Sequence, residues 1–261
     1  MKWIYCILLI FSLHLATHAQ SDSSSHGNNI LLVTYELKMY RSTIDPALMQ
    51  KSGLSYEALR KEIQKGLDNT MLLELKAKGE AKSVLQNDTN YYNGELAHIH
   101  KNISYSYELM PGAEKVETAE EEKGMKKIGG KLNKLVGKNK ATSEYEEKMG
   151  TWVEDGQVVS RIDNREKYMK TKIFSNKIIK DLCSKHQAKT IVFINQLDIL
   201  QADKEFSGQR KVKIHYTIFD HNGREIASGA EVSYFETTQN DPKKIVYEEL
   251  YKPCHAIAAK L

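Results

Sequence analysis

The chain lacks the short motifs on which most catalytic and metal-binding machinery is built. No serine stands in a Gly-x-Ser-x-Gly turn, and no Cys-x-x-Cys, His-Glu-x-x-His or calcium-loop spacing occurs. The spacings that a nucleophile elbow, a zinc site or an EF-hand requires are therefore missing. Excess charge is missing too. Lysine and arginine number 38 against 34 aspartates and glutamates, a net charge of +4. That is too mild to argue for a nucleic-acid partner. The only long apolar run, Ile4 to Leu15, falls short of the roughly 20 residues a membrane span needs. There is no internal repeat, and no residue pattern calls for a cofactor.

What is present begins with an address. Lys2 precedes the apolar run, and Thr17-His18-Ala19 places small residues before Gln20, where a signal peptidase cuts. The competing reading is an uncleaved anchor. The spacing predicts a signal peptide over 1–19, a serine-rich leader over 20–29, and an exported protein, periplasmic or secreted. No membrane-spanning segment is expected after cleavage. Export leaves two cysteines, Cys183 and Cys254. In an oxidising compartment they can pair, or they can serve as two half-buried thiols that pack like small apolar residues. Sequons at Asn87-Asp88-Thr89 and Asn102-Ile103-Ser104 matter only in a eukaryotic secretory pathway.

The rest of the chain is organised around Thr190 to Phe235. Thr190 to Leu200 is apolar on both alternating faces, with Ile191, Phe193, Leu197 and Ile199 on one and Val192, Ile194 and Leu200 on the other. Such a strand belongs inside a sheet covered on both sides. Asn222-Gly223 then joins two β-rich runs, the signal for a type I′ hairpin. Before this core, Ile30 to Tyr40 reads as a strand, Thr43 to Gly53 as a loop, and Ala81 to Gln86 as a short strand. Ser55 caps a helix with Tyr56, Leu59, Ile63, Leu67 and Met71 on one face, which Gly79 ends. Ala97 to Leu109 alternates like a half-exposed strand. Trp152-Val153 and Val158-Val159 read as a hairpin about Asp155-Gly156, and Tyr168 to Ile173 as a strand. Ser175 caps a second helix, and Asp241-Pro242 opens a terminal one that Pro253 kinks or restarts.

The fold class is α/β: a mixed, largely antiparallel sheet covered by helices, one domain over 30–261 with a charged insertion over 113–149. The layout of Ile30 to Gln86 and Ser175 to Leu261 resembles the periplasmic α/β module of the TolB amino-terminal domain and of the curli-secretion lipoprotein CsgG. The hairpin Tyr216 to Ser228 is similar to that group's strand, Asp, turn, Gly-Glu, strand element. The piece Val192 to Leu197 also looks like exported bacterial proteins of unknown function. The resemblance implies an envelope role and transfers no catalytic residue.

Several residues invite chemistry. His98 and His100 on one strand face approach metal-ligand spacing, but two imidazoles make an incomplete site. Cys183 and His186 lie one helical turn apart, like a nucleophile and its base, and both also fit the edge of a buried helix face. Gly130-Lys131 and Gly137-Lys138 fail the phosphate-loop spacing. Asn195, Gln196 and Asp198 interrupt the central strand and either bond to neighbouring elements or line a cleft. In the insertion, Ile128, Leu132, Leu135 and Val136 follow helical spacing among Lys126, Lys127, Lys131, Lys134 and Lys138. That pattern suits an anionic membrane surface or an acidic envelope partner, although glycines at 129, 130 and 137 each cost a helix about 1 kcal/mol. A solvated loop is the plainer alternative. The function that follows is an exported cell-envelope binding or assembly module without catalysis. The alternative is an enzyme with a small cleft near Asn195, Gln196 and Asp198. The sequence leaves oligomeric state open.

The basic segment yields a direct test. With seven lysines and no acid over 123–140, each lysine near a membrane contributes about 1 kcal/mol, and screening shortens its reach to about 8 Å at physiological salt. The intact protein should sediment with anionic vesicles in a salt-sensitive way, and a version with a Gly/Ser linker over 123–140 should not. Equal sedimentation of the two would reduce the segment to a solvated loop.

Overall fold

The computed structural model describes residues 29–87, 94–111, 150–154, 157–161, 165–201 and 208–261, with backbone alone over 150–161. The leader and the 113–149 insertion, with its lysine and apolar stripe, lie outside the described residues. The architecture is α/β. A six-stranded mixed sheet runs in the order β10 (Glu225–Glu236), β9 (Gln209–Asp220), β8 (Thr190–Gln201), β1 (Ile30–Val33), β3 (Ala81–Ser83). A short β2 (Tyr40–Ser42) also pairs with β8, beyond the end of β1. The three long strands are antiparallel to one another, while β1, β2 and β3 join in parallel.

Helices cover one face completely. On α2 (Tyr56–Lys76), Leu59, Ile63, Leu67, Met71 and Leu75 are fully buried, at the spacing that makes one helical stripe. They join Val192, Ile194, Leu197, Ile199, Val212, Ile214, Tyr216 and Ile218 of the sheet in the larger core. The terminal segment completes this layer. Asp241 caps α6 (Pro242–Lys244), a π-helical turn follows over Ile245–Glu249, and α7 (Tyr251–Ala258) closes the chain. Pro253 lies in the first turn of α7, where the helix restarts. Having no N–H, it leaves the Glu249 carbonyl to be taken by the Ser233 hydroxyl at 3.1 Å.

The opposite face is divided. Its first half is apolar: Leu31, Val33, Ile191, Phe193 and Phe219 pack under α4 (Glu95–Lys101) and α5 (Asn176–His186). Its second half is polar, and β7 (Lys167–Lys172) crosses it, paired antiparallel with β4 (Ser104–Leu109). A separate hairpin pairs β5 (Gly150–Glu154) with β6 (Gln157–Arg161) as the sequence predicts.

The structure corrects the reading of the central strand. The β8–β9 register shifts between Ile194 and Gln196, so Asn195 is an extra, bulged residue. The bulge reverses the alternation. Leu197 and Ile199 therefore join Val192 and Ile194 in the larger core instead of Ile191 and Phe193. Other corrections are local. The strand expected over Ile30 to Tyr40 stops at Val33, and a 3-10 turn precedes β2. The expected loop over Thr43 to Gly53 is α1 (Asp45–Ser52), opened by Pro46 and closed by Gly53 at φ 70°. The strand expected over Ala81 to Gln86 becomes a helical turn, α3 (Val84–Asn87), after Ser83. Ala97 to Lys101 is helix, and only Ser104 onward is strand. The hairpin turn is not type I′. Asp220 Oδ1 accepts from the Asn222 and Arg224 amides at 2.9 and 2.8 Å, which holds His221 and Asn222 at negative φ and leaves Gly223 alone at +80°. The caps at Ser55, Ser175 and Asp241 form as read.

A single glycine joins α2 to the terminal segment. A Cβ on Gly66 would collide with the branched end of Val246, which is buried and stiff at χ1. Gly66→Ala should therefore lower stability by about 1–3 kcal/mol in urea unfolding. Adding Val246→Ala should recover part of that loss; two additive losses would place the strain elsewhere.

Candidate functional site

The polar half of the second face gathers six buried polar side chains from two neighbouring strands. Asn195, Gln196, Asp198, Lys213, His215 and Thr217 are all buried there. The bulge is what sets Asn195 and Gln196 side by side on this face. On β9 simple alternation does the same for Lys213, His215 and Thr217.

Asn195, 0% exposed, is saturated. Its Oδ1 accepts from the Thr171 hydroxyl at 2.6 Å, and its Nδ2 donates to the Met169 carbonyl and the Thr217 hydroxyl, both at 2.8 Å. Thr217 also accepts from the Thr171 amide at 3.1 Å. The Met169 amide donates to His215 Nδ1 at 2.8 Å. These side chains thus meet the edge of β7 that faces away from β4.

A directed chain continues from His215. Because Nδ1 accepts from an amide, Nε2 carries the proton and donates to Asp198 Oδ2 at 3.1 Å. Asp198 Oδ1 accepts from Gln196 Nε2 at 2.7 Å, and Gln196 Oε1 accepts from the Tyr107 hydroxyl at 3.0 Å. Tyr107 in turn accepts from Arg41 Nη1 at 3.3 Å. Burial holds His215 below the ordinary histidine range, with Lys213 and Arg41 adding to the effect and Asp198 opposing it.

At its outer end this network floors a cleft of about 380 Å³, lined by Arg41, Tyr107, Lys167, Lys211, Lys213 and Asp198 among others. Of the three polar interruptions in the central strand, only Asp198 lines it. Asn195 and Gln196 lie beneath and serve the packing. The sequence reading missed His215, Thr217, Thr171, Tyr107 and Arg41. On β9 a signal was available, since Lys211, Lys213, His215 and Thr217 alternate with Val212, Ile214, Tyr216 and Ile218.

The remaining candidates separate. His98 and His100 belong to a helix, not a strand, so two residues of spacing turn them apart. His100 is buried, donates from Nε2 to the Thr34 carbonyl at 3.0 Å, and accepts at Nδ1 from Tyr105 at 2.6 Å. Burial pushes it down to about 4. His98 is exposed. Cys183 and Cys254 are free and sit in the two cores on opposite faces of the sheet, so they do not pair. The small-apolar reading of the thiols is the one the structure carries. Cys183 and His186 form no nucleophile–base pair. Burial pushes the thiol up to about 11, and His186 Nε2 is bonded to Glu95 at 2.8 Å. A larger cavity of about 890 Å³ lies between α4 and α5, under the exposed Phe174, and Lys185 with His186 occupies its Glu95 carboxylate.

Fold and site together define a helix-covered mixed-sheet protein in which side chains of the large sheet hold a second, two-stranded ribbon. No protein-family model matches the chain, and no curated protein matches it.

The buried histidines set a pH dependence. Each has a folded pKa below the ordinary 6.5. The unfolded chain therefore binds more protons below that pH, and the stability held above it is lost as pH falls. For His100 the loss is on the order of 3 kcal/mol by pH 4. Asp68 opposes this. Burial raises it to about 6 despite a hydrogen bond from Ser83, so its contribution grows as pH falls from 6 towards 3.8. Comparison of variants isolates each group. His215→Asn should lose less stability than the wild type between pH 7 and 5 in urea unfolding. Equal losses would remove His215 from the account.

Proposed function

We propose that the protein is an exported module of the cell envelope that acts by binding or assembly and not by catalysis. Its partner is an envelope protein or an anionic membrane surface. The observation that carries the reading is the state of the cluster around Asp198. Both ring nitrogens of His215 and both carboxylate oxygens of Asp198 are already held by groups of the protein itself. A general base needs a nitrogen or oxygen within reach of a substrate proton, and here each is turned to an internal partner. The buried thiol of Cys183 offers no nucleophile in its place. Export rests on the leader sequence, and the envelope role on the layout resemblance to the TolB and CsgG module.

Fractionation of cells producing the full chain should recover it outside the cytoplasm with a mass lacking residues 1–19. It should co-sediment with washed envelopes. An intact Met1 in the mature pool would overturn the export reading. Turnover of an ester, glycoside or phosphate in a substrate panel, lost in His215→Asn, would overturn the non-catalytic one.

A further inference from the structure

The outer side of α5 carries a side chain that the fold does not use. Phe174 immediately precedes Ser175, the N-cap of the helix. A large apolar residue in that position commonly packs on the fourth helical residue and fixes the entry of the chain. Here the fourth residue, Ile179, is fully buried beneath the helix, while Phe174 stands 81% exposed. Among the described residues no other large apolar side chain is as exposed. Ile178, half-buried, extends the apolar surface from Phe174 along the cavity between α4 and α5.

Lysines surround this apolar point. Lys177 on α5 and Lys101 at the end of α4 line the cavity beside Phe174. Lys180 on α5 and Lys189 just beyond it line a shallow depression of about 620 Å³ on the other flank, against the hairpin turn. All four are exposed, and their ammonium groups have no partner among the described residues. The acids nearby are mostly matched. Glu95 is held by Lys185 at 2.9 Å and His186 at 2.8 Å, and Asp220 at the turn lies beside Arg224. Asp181 is the one unpaired carboxylate lining either flank, so four free ammonium groups stand against it.

We propose that the outer side of α5 docks on an anionic lipid surface. Phe174 is the apolar anchor at the boundary of headgroups and acyl chains, and Lys101, Lys177, Lys180 and Lys189 meet the phosphates around it. An aromatic ring among lysines is the pattern that interfacial helices present. Lipid suits this surface better than protein does. Protein interfaces need a contiguous apolar core and are depleted in lysine, whereas an anionic membrane attracts each lysine near it. The inference rests on the envelope-binding reading and selects the membrane between its two partners. With the basic segment over 123–140 it would supply a second contact, and two weak contacts on one surface multiply.

Sedimentation of the full mature chain tests it, with vesicles of mixed phosphatidylglycerol and phosphatidylcholine and with vesicles of phosphatidylcholine alone. Binding to the anionic vesicles is expected, falling as salt rises. Phe174→Ser should weaken it about tenfold, and Lys177→Gln and Lys180→Gln about fivefold each. Tyr247→Ser removes an exposed ring from the helical layer on the other face of the sheet and should leave binding unchanged. All these substitutions leave 123–140 intact, so they report on α5. In Phe174→Trp, tryptophan emission should be quenched by lipids with brominated tails more than in wild type, where Trp152 is the only tryptophan after residue 19. Thermal unfolding of each variant separates lost docking from a lost fold. Equal binding by wild type and Phe174→Ser, or equal quenching of wild type and Phe174→Trp, would overturn the proposal. So would an absence of vesicle binding together with co-sedimentation on washed envelopes that protease treatment abolishes. That outcome would leave the envelope reading standing with a protein partner. Binding to neither vesicles nor envelopes would overturn both.

Discussion

The structure depends on how one bare strand edge is satisfied. β7 is paired on one side by β4, and among the described residues no strand pairs with its other edge. The Met169 amide, the Met169 carbonyl and the Thr171 amide instead meet His215, Asn195 and Thr217, three side chains rising from the face of the large sheet. Buried backbone groups left unbonded cost about 1–3 kcal/mol each, so these three contacts decide whether the ribbon can lie there at all. They also explain why the large sheet tolerates a polar half-face. Those side chains substitute for a neighbouring strand.

The bulge at Asn195 makes that substitution possible. Before it, the second face is apolar and takes helices; after it, the polar residues of β8 turn to the same face and take the ribbon. One extra residue thus sorts a single strand into two kinds of contact while the larger core stays apolar throughout. Gln196 and Asp198 then stand in line with His215 and Lys213 across the ladder, and the network from Tyr107 to the Met169 amide closes without a free end. A buried polar network of this kind is favourable only when all its members are satisfied.

Much of the fold was legible because it rests on local signals. Ser55, Ser175 and Asp241 accept from amides two or three residues on, a range within which sequence spacing determines geometry. The apolar stripe of α2 and the doubly apolar run of β8 likewise follow from period alone. One misreading arose because two local periods were compatible with the same residues. Ala97 to Lys101 alternates as a strand would, yet Leu96 and Ile99 are also three apart, and burial under the sheet selects the helix. At the hairpin, Asn-Gly favours a turn with two positive φ angles. The carboxylate of Asp220, one residue before the loop, captures two amides and selects another.

The site was legible only in part, for a different reason. Asn195, Gln196 and Asp198 stand out because polar residues interrupt an apolar strand, and interruption is visible in sequence. Their partners are not, since Thr171, Tyr107 and Arg41 reach them from segments 24, 89 and more than 150 residues away. What the sequence does contain is the opposite alternation of β9, with lysines, His215 and Thr217 against Val212, Ile214, Tyr216 and Ile218. A polar face on a strand so well buried demands a polar cover. That demand separates the inner part of the cluster from the outer. Asn195, Thr217 and His215 lie under the ribbon, where every bond made to β7 removes a group from any possible substrate. Arg41 and Lys211 stand at the cleft, where the Tyr107 hydroxyl and the Glu166 carboxylate meet them, so the position of β7 divides the polarity buried beneath it from the polarity at its rim.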